Sequence, residues 1–223
     1  MNNRYSCIIL FAKYPQQGKV KTRLAKKTGN NIAVSLYKNF ILDILNQIKK
    51  IKTNIIIAVN DKKYINNFKE WLGNDFEYMV QRGDNLGERM KNTFTDIFKK
   101  GYNNAIIIGS DIPDISSKIL KQAMISFKKY DAVIGPGLDG GYYLIGFNKD
   151  INYHSAFCNI IWSSYHVFND TLERLEENNI NYLIHKTLND IDTYEDLIRY
   201  FERNKYKKGL KTIDFIRKNF DFN

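Results

Sequence analysis

Basic and glycine residues that could bind a polyanion follow the first apolar segment of the chain. Residues 13–24 read KYPQQGKVKTRL. The polar candidates in this stretch are Lys13, Gly18, Lys19, Lys21 and Arg23. Exposed backbone N–H groups together with lysine and arginine side chains form a cradle for phosphate groups. A solvated basic turn is the alternative, and the stretch is not a Walker loop, because neither Ser nor Thr follows Lys19.

Acidic side chains that could hold a metal follow two later segments. Asp111 and Asp114 come directly after an apolar run, and Asp190 and Asp192 precede the last helical part. Carboxylates at the end of a strand suit a hard divalent cation, Mg²⁺ or Mn²⁺, that bridges diphosphate oxygens. A structural role is the alternative for both groups. Asp111 or Asp114 could cap a helix near Ser116, and Asp192 or Thr193 could cap the last helices.

Two glycine-containing stretches offer polar groups to a flat or sugar-like ligand. Residues 81–90 read QRGDNLGERM, with Gln81 at a strand end and Gly87 at a helix start. Both could hydrogen-bond the edge of a heterocycle, or the stretch could simply be the entry to a helix. Residues 135–143 read GPGLDGGYY and surround Asp139 with glycines. This favours close approach to a polar ligand such as a sugar, or else a tight Asp-Gly turn of a β-hairpin.

These residues need a scaffold, and the apolar pattern predicts one of alternating strands and helices. Strands are expected at about 6–12, 53–60, 76–81, 104–109, 131–135, 142–147 and 180–187. Helices are expected at about 31–50, 64–72, 88–100, 120–127 and 164–178, and through most of the remaining C-terminal part. Continuous apolar strands separated by helices predict an α/β protein with a three-layer α/β/α architecture and a mainly parallel sheet. Some antiparallel pairing is expected after residue 136, and we expect one domain over residues 1–223.

The composition narrows the possible partners and compartments. Lys and Arg number 34 against 24 Asp and Glu, a net charge of +10. This excess favours an anionic partner, although a composition rich in Lys, Asn and Ile also indicates compositional drift. We expect no nucleic-acid partner, because the aromatic residues follow core spacing, and no membrane span, because no apolar run approaches ~20 residues. The two cysteines form no framework and indicate a reducing cytoplasm.

Taken together, these stretches resemble the radical-SAM/selenodomain-associated transferase family. That family belongs to the nucleotide-diphospho-sugar transferase superfamily, which has a GT-A-like fold. The matching segments are residues 11–24, 81–90, 109–115, 135–147, 162–164 and 190–197. The chain is more distantly similar to the molybdenum-cofactor and phospholactate guanylyltransferases. The resemblance implies the same fold and a site at the carboxyl ends of the strands.

The resemblance also implies roles for individual residues. Arg23 would end a loop that wraps a triphosphate, and Asp111 would bind the metal in a site that Asp192 completes. The base would be contacted by Gln81, Leu86 and Gly87. Two departures from the pattern concern the reaction. The D-x-D of glycosyltransferases is replaced by Asp111-Ile-Pro-Asp114, and the first loop is less glycine-rich than in pyrophosphorylases.

From these observations we expect a metal-dependent glycosyltransferase that uses a nucleotide-sugar donor. Arg23, Asp111 and Lys21 are the expected catalytic residues, and Asp111, Asp192 and Asp190 the expected ligands of Mg²⁺ or Mn²⁺. The expected nucleotide- and substrate-binding residues are Lys13, Gly18, Lys19, Gln81, Leu86, Gly87, Asp139, Gly140 and Gly141. The alternative is a nucleotidyltransferase that joins a nucleoside triphosphate to a phosphorylated substrate and releases pyrophosphate. The acceptor and the oligomeric state stay open at this point, and a nucleic-acid-binding protein is a remote third reading.

Overall fold

A computed structural model describes residues 6–222 of the chain. Its strands are β1 (Ser6–Ala12), β2 (Asn54–Val59), β3 (Glu77–Val80), β4 (Asn104–Gly109), β5 (Ala132–Pro136), β6 (Tyr142–Asn148) and β7 (Tyr182–Ile184). Its helices are α1 (Thr22–Thr28), α2 (Asn30–Lys49), α3 (Ile65–Leu72), α4 (Leu86–Lys99), α5 (Ser117–Ser126), α6 (Val167–Glu177), α7 (Tyr194–Asn204) and α8 (Lys211–Asn219). Short 3₁₀ turns lie at Lys62–Tyr64 and Ser155–Phe157.

The seven strands form one sheet in the order β3-β2-β1-β4-β6-β5-β7. Strand β1 is parallel to β2 on one side and to β4 on the other. Strand β6 runs antiparallel to both of its neighbours, β4 and β5. Strands β2 and β3 are therefore added on one side of β1, and β4 is added on its other side. Ligands of open α/β sheets bind where the strand order reverses in this way.

Successive side chains of β1 point to opposite faces of the sheet, where each set packs in its own hydrophobic core. Ile8 and Leu10 pack in a core with helices α1, α2, α3, α5, α7 and α8. Cys7 and Ile9 pack on the opposite face, in a core with α4, α6 and the second 3₁₀ turn. All seven β1 residues are buried, as a strand covered on both faces requires. The predicted three-layer α/β/α class with a mainly parallel sheet is confirmed, and we retain the prediction of one domain.

One helix was not predicted, and two predicted elements are shorter in the structure. Helix α1 was not expected, because it spans seven residues, buries Leu24 alone and so shows no apolar period. Gly29 separates it from α2 with a φ of 84°, which the absence of a side chain permits. The last strand is shorter than 180–187, and α6 begins later than residue 164. Beyond β7 the chain still follows β5, because the His185 N–H donates to the carbonyl oxygen of Ile134 at 2.8 Å.

The sequence also predicts that the chain has no membrane span and that its two cysteines form no disulfide framework. Within residues 6–222, no helix combines enough length with enough apolar character to cross a bilayer. Cys7 and Cys158 are both free thiols, the first buried and the second exposed. Burial raises the pKa of the Cys7 thiol, which makes it an unreactive part of the core.

Candidate functional site

A cleft of about 580 Å³ opens at the carboxyl edge of the sheet. Its walls come from the loops that follow β1, β3 and β4, from the β5–β6 hairpin, and from the segment before α7. The charged and amide side chains in its lining are Lys13, Lys19, Lys21, Arg23, Gln81, Arg89, Asp111, Asp139, Asp190 and Asp192. Sequence segments that lie far apart along the chain therefore place five bases and four acids around one cavity.

The loop after β1 is fixed at both ends by packing. Tyr14 stacks on Tyr64 with a centroid distance of 4.7 Å, and Val20 is buried in the core. Lys21 then adopts left-handed backbone angles, φ 48° and ψ 45°, an uncommon conformation for a residue with a side chain. Helix α1 starts directly afterwards and places Arg23 in its first turn, 72% exposed. The loop thus turns Lys21 into the protein and leaves Arg23 open to the cleft.

The acidic groups are brought together by a backbone contact between two loops. The Ile191 N–H donates to the carbonyl oxygen of Asp111 at 3.1 Å, and the Ile191 side chain is fully buried. The flanking residues Asp190 and Asp192 therefore meet Asp111 at the cleft. Lys21 Nζ lies 3.1 Å from Asp111 Oδ1 and 2.8 Å from Asp192 Oδ1. A nitrogen of the Arg23 guanidinium lies 3.5 Å from Asp192 Oδ2.

Crowding of carboxylates in this cleft changes their proton affinity. Burial raises the pKa of Asp190 to about 6, and the nearby charges of Asp192 and Asp139 add to the increase. Burial alone would lower the pKa of Lys21, but the Asp111 and Asp192 carboxylates outweigh burial and raise it. At neutral pH Lys21 is consequently a permanent cation among several anions.

The carboxylates offer oxygen ligands that suit the divalent cation expected from the sequence. Lys21 Nζ lies within 3.1 Å of one oxygen of Asp111 and one oxygen of Asp192, so a single position is close to both carboxylates. Carboxylate oxygens are the donors that Mg²⁺ takes, and this ion commonly uses one or two of them plus water and phosphate oxygens. Across residues 6–222 the acidic, histidine and cysteine side chains form no group of three or more arranged to hold a metal by themselves. The residues therefore fit an ion whose coordination a phosphate ligand completes.

The loop after β3 presents an amide and a guanidinium to the cleft. Gln81 Nε2 donates to the carbonyl oxygen of Ala58 at 2.7 Å, which fixes the amide at the strand end. Arg89 Nε donates to the carbonyl oxygen of Gly83 at 3.0 Å, and Arg89 lines the same cleft. Asn85 caps α4 by accepting from the Glu88 N–H at 2.9 Å. The two side chains are thus held by backbone carbonyl groups before any ligand binds.

Sequence reasoning missed two contributors to this site. Arg89 stands in the stretch 81–90, but nothing in the pattern indicated which residues of the first turns of α4 face the cleft. The sequence pattern places Tyr37 on the apolar face of α2. Its hydroxyl lies 2.7 Å from Ser110 Oγ and accepts from the Lys13 N–H at 3.1 Å. A tyrosine on an otherwise apolar helical face was the available signal, because a buried hydroxyl needs a polar partner.

Four glycines predicted to contact the ligand lie outside the cleft lining. A Cβ on Gly87 would lie 2.1 Å from the Trp162 ring, and a Cβ on Gly140 would lie 2.3 Å from the Tyr165 carbonyl oxygen. Gly141 donates its N–H to Asp139 Oδ1 at 3.0 Å, and so fixes a cleft residue. Gly18 shapes the first loop with a φ of 69°. These glycines allow close packing and tight turns around the cleft, and the Asp-Gly hairpin predicted at Asp139 is present.

The capping roles considered for Asp111, Asp114 and Asp192 are wrong, whereas the one considered for Thr193 is confirmed. Asp114 accepts from Arg203 at 2.8 Å and from Asn204 at 2.6 Å, so it ties the β4 loop to α7. Helix α5 is capped by Ser116, and α7 by Thr193 in a capping box with Asp196. Asp111 and Asp192 are thereby left to the cleft, and Asp114 is not in its lining.

The fold and the cleft define an enzyme of the transferase class with the nucleotide-diphospho-sugar transferase fold. The chain belongs to the family described as "Uncharacterized protein conserved in bacteria (DUF2064)", whose model matches residues 44–164. A proposed nucleotide-diphospho-sugar transferase from Desulfovibrio desulfuricans G20, known from a crystal structure, is 37% identical in sequence to this chain. It has a TM-score of 0.94, and the match covers 97% of this chain and 95% of that one.

Two further relatives are enzymes that transfer nucleotides. A 2-phospho-L-lactate guanylyltransferase from Methanosphaera stadtmanae is 27% identical over 183 residues, which cover 79% of this chain and 76% of the relative. A cytidylyltransferase from Leptospira borgpetersenii serovar Hardjo-bovis matches with a TM-score of 0.59 at 15% identity, covering 97% of this chain and 95% of that one. The second likeness shows the shared fold alone. The radical-SAM association implied by the sequence stays a prediction.

Proposed function

We propose that this protein is a nucleotidyltransferase that joins a nucleoside triphosphate to a phosphorylated acceptor and releases pyrophosphate. The observation that carries the proposal is that Lys19, Lys21 and Arg23 line one cleft together with the Asp111–Asp192 pair, which Lys21 and Arg23 contact. A triphosphate and a phosphorylated acceptor together bring more negative charge than a nucleotide sugar does, and several cations in one cleft are needed to hold both. The similarity to a guanylyltransferase supports the same reaction.

The reaction requires positioning and neutralisation of charge more than covalent catalysis. An oxygen of the acceptor phosphate would attack the α-phosphorus, and the bond from that phosphorus to the oxygen bridging to the β-phosphate would break. Pyrophosphate would leave with the electron pair of that bond. Arg23 and Lys19, both exposed in the cleft, are placed to neutralise the leaving group. Charges already placed in the cleft supply this stabilisation.

Several other residues have defined parts in the proposal. Gln81 and Arg89 would hydrogen-bond the base at the carboxyl end of β3, and Asp139 would bind the ribose or the acceptor. Mg²⁺ or Mn²⁺ on Asp111 and Asp192, with Asp190 beside them, would supply neutralisation of phosphate charge. The free thiols are compatible with a reducing cytoplasm, which we propose as the compartment.

Glycosyl transfer from a nucleotide sugar is the second candidate function. It was the leading expectation from the sequence, and the description of the Desulfovibrio desulfuricans relative favours it. In that reaction the same cations would neutralise a departing nucleoside diphosphate, and Asp139 would bind the sugar. The two reactions therefore use one cleft and differ in which bond breaks.

Product analysis separates the two reactions. The purified protein would be incubated with each of four nucleoside triphosphates and a set of sugar phosphates and phospho-hydroxy acids, 2-phospholactate among them. We expect pyrophosphate to appear only when a triphosphate and a phosphorylated acceptor are both present. Release of nucleoside diphosphate from a nucleotide sugar, without pyrophosphate release from any triphosphate, would establish the glycosyltransferase instead. An Arg23→Ala variant controls for contaminating activities, because its rate should fall with that of the true reaction.

A further inference from the structure

The side chain of Lys21 occupies the space between the two carboxylates proposed to hold a metal. Its ammonium lies 3.1 Å from Asp111 Oδ1 and 2.8 Å from Asp192 Oδ1, and the side chain is only 4% exposed. The side chains of Asp111 and Asp192 are 47% and 36% exposed, so both carboxylates still face the open cleft. The lysine thus reaches the carboxylate pair from the protein side, while the opposite side stays open to solvent.

A divalent cation and this ammonium cannot share the same position. Both would lie within about 3 Å of the same oxygens, where two like charges repel strongly at any effective dielectric constant found in proteins. The left-handed backbone of Lys21 directs the side chain to this point at some conformational cost. An ammonium placed here in the absence of a ligand also offsets the repulsion between Asp111 and Asp192.

We propose that Lys21 is an exchangeable placeholder, which holds the carboxylate pair until a divalent cation enters and displaces the ammonium into the cleft. This inference rests on the proposed function, because it takes the cation to be the one that accompanies a polyphosphate. The displaced ammonium gains a new partner when the ligand carries phosphate groups. Binding of the cation and binding of the polyphosphate therefore strengthen each other. The cation releases the ammonium that the phosphate groups bind, and the phosphate groups stabilise the ammonium that the cation displaces.

Binding of the metal alone tests the exchange. Mn²⁺ affinity would be measured by electron paramagnetic resonance, with no nucleotide present, for wild type, Lys21→Met and Lys19→Met. Methionine retains most of the length of the side chain, and Lys19 is an exposed base of the same cleft. We expect Lys21→Met to bind Mn²⁺ at least about tenfold more tightly than wild type, because the competing charge is gone. Lys19→Met should change the affinity by no more than about twofold, because the Lys19 side chain is exposed to solvent and the ion pairs at Asp111 and Asp192 are made by Lys21 and Arg23.

Two controls locate the ion and exclude a general charge effect. Adding Asp111→Asn to Lys21→Met should abolish the gain, which places the ion at this carboxylate pair. Equal gains in Lys21→Met and Lys19→Met, or a weaker affinity in Lys21→Met, would overturn the proposal. Absence of Mn²⁺ binding in every variant would overturn it as well.

A second measurement uses the unaltered protein, and so avoids any folding defect of the variants. Reductive methylation of lysines with formaldehyde would be followed by mass spectrometry with saturating Mg²⁺ or with NaCl of equal ionic strength. We expect Mg²⁺ to raise the labelling of Lys21 relative to Lys19 at least threefold, because the displaced ammonium becomes accessible. Unchanged labelling would contradict the exchange. Neither measurement uses nucleotide, so the exchange and the transferase reaction can fail independently, the latter being judged by pyrophosphate release.

Discussion

The N–H of Ile191 donates a 3.1 Å hydrogen bond to the carbonyl oxygen of Asp111. This single backbone contact joins the loop after β4 to the segment before α7, and it places Asp190 and Asp192 on either side of a fully buried residue. Main-chain geometry therefore brings together three of the four acids in the cleft, whereas four of its five bases lie on the continuous segment 13–23. Variants of residues that contact the ligand should therefore change binding, whereas variants of their structural neighbours should change stability.

Arg23→Ala should weaken binding of a nucleoside triphosphate by about tenfold or more, because a charge-assisted contact to phosphate is lost. Binding of the corresponding nucleoside should be unaffected. Thermal stability should also be unaffected, since Arg23 is 72% exposed and its pair with Asp192 is long, at 3.5 Å. Calorimetric titration measures both affinities. Lys26→Ala, on the exposed face of the same helix, is the matched control, and equal losses in the two variants would argue against a phosphate role for Arg23.

Asp111→Asn and Asp114→Asn should have opposite effects although the residues are three positions apart. Asp111→Asn should remove the Mg²⁺-dependent part of triphosphate binding and leave folding nearly unchanged. Asp114→Asn should leave binding intact and cost about 1–3 kcal/mol of unfolding free energy, because Arg203 and Asn204 lose a charged acceptor. Titrations with Mg²⁺ or EDTA and urea denaturation give the two readouts. A binding defect in Asp114→Asn that matches that of Asp111→Asn would refute the assignment.

Gln81→Ala should reduce discrimination among the four nucleoside triphosphates. The amide is held by the carbonyl oxygen of Ala58, so its orientation toward a base is fixed in advance. We expect the ratio of best to worst affinity to fall by about tenfold, the value of one good hydrogen-bonded contact. Competition binding with all four triphosphates measures the ratio, and Gln122→Ala on the exposed side of α5 serves as control. An unchanged ratio would make the loop structural only.

Asp196 gives the protein a defined sensitivity to acid. Burial alone would raise its pKa, but hydrogen bonds from Thr193 and the contact with Arg199 overcome burial and lower the pKa to about 2. The unfolded-state value is near 3.9, so this carboxylate contributes about 2 kcal/mol of stability above pH 5, and the contribution disappears as the pH falls toward 2.

Asp196→Asn should therefore be less stable than wild type at pH 7, and the difference should narrow between about pH 5 and pH 2. Urea unfolding at several pH values measures it. Glu195→Gln, exposed in the same helical turn, should show little difference at any pH. A gap between Asp196→Asn and wild type that stays constant down to pH 2 would contradict the lowered pKa.

Gly87→Ala should destabilise the fold by about 1–3 kcal/mol through overpacking, because the new methyl group would lie 2.1 Å from the Trp162 ring. Gly109→Ala is a strict comparison, since a Cβ there meets nothing within 4 Å. Thermal denaturation of both variants tests the packing role of Gly87. Combining Gly87→Ala with Trp162→Ala should recover part of the loss, and equal stability of the two single variants would show that the ring moves aside freely.

Local pattern determined much of this protein in advance. Continuous apolar strands separated by helical spacing required a covered, mainly parallel sheet, and β1 to β4 lie close to their expected positions. Loops that follow parallel strands must meet at one edge of the sheet. For that reason Arg23, Gln81 and Asp111 could be assigned to one cleft from sequence alone, and the structure brings them together there.

Only the tertiary structure decided which aspartates face the cleft, which ones hold helices in place, and which side chains pack against the glycines. Asp111 faces the cleft while Asp114 is bonded to α7, and Asp43 of α2 caps α8 by accepting from the N–H groups of Lys211 and Thr212. Gly87 packs against Trp162, and the Lys21 ammonium lies between two carboxylates from different loops. Each of these contacts joins residues that are distant along the chain. Sequence periodicity indicates only on which side of its helix or strand a residue lies. The partner on the facing element is set by how the elements pack.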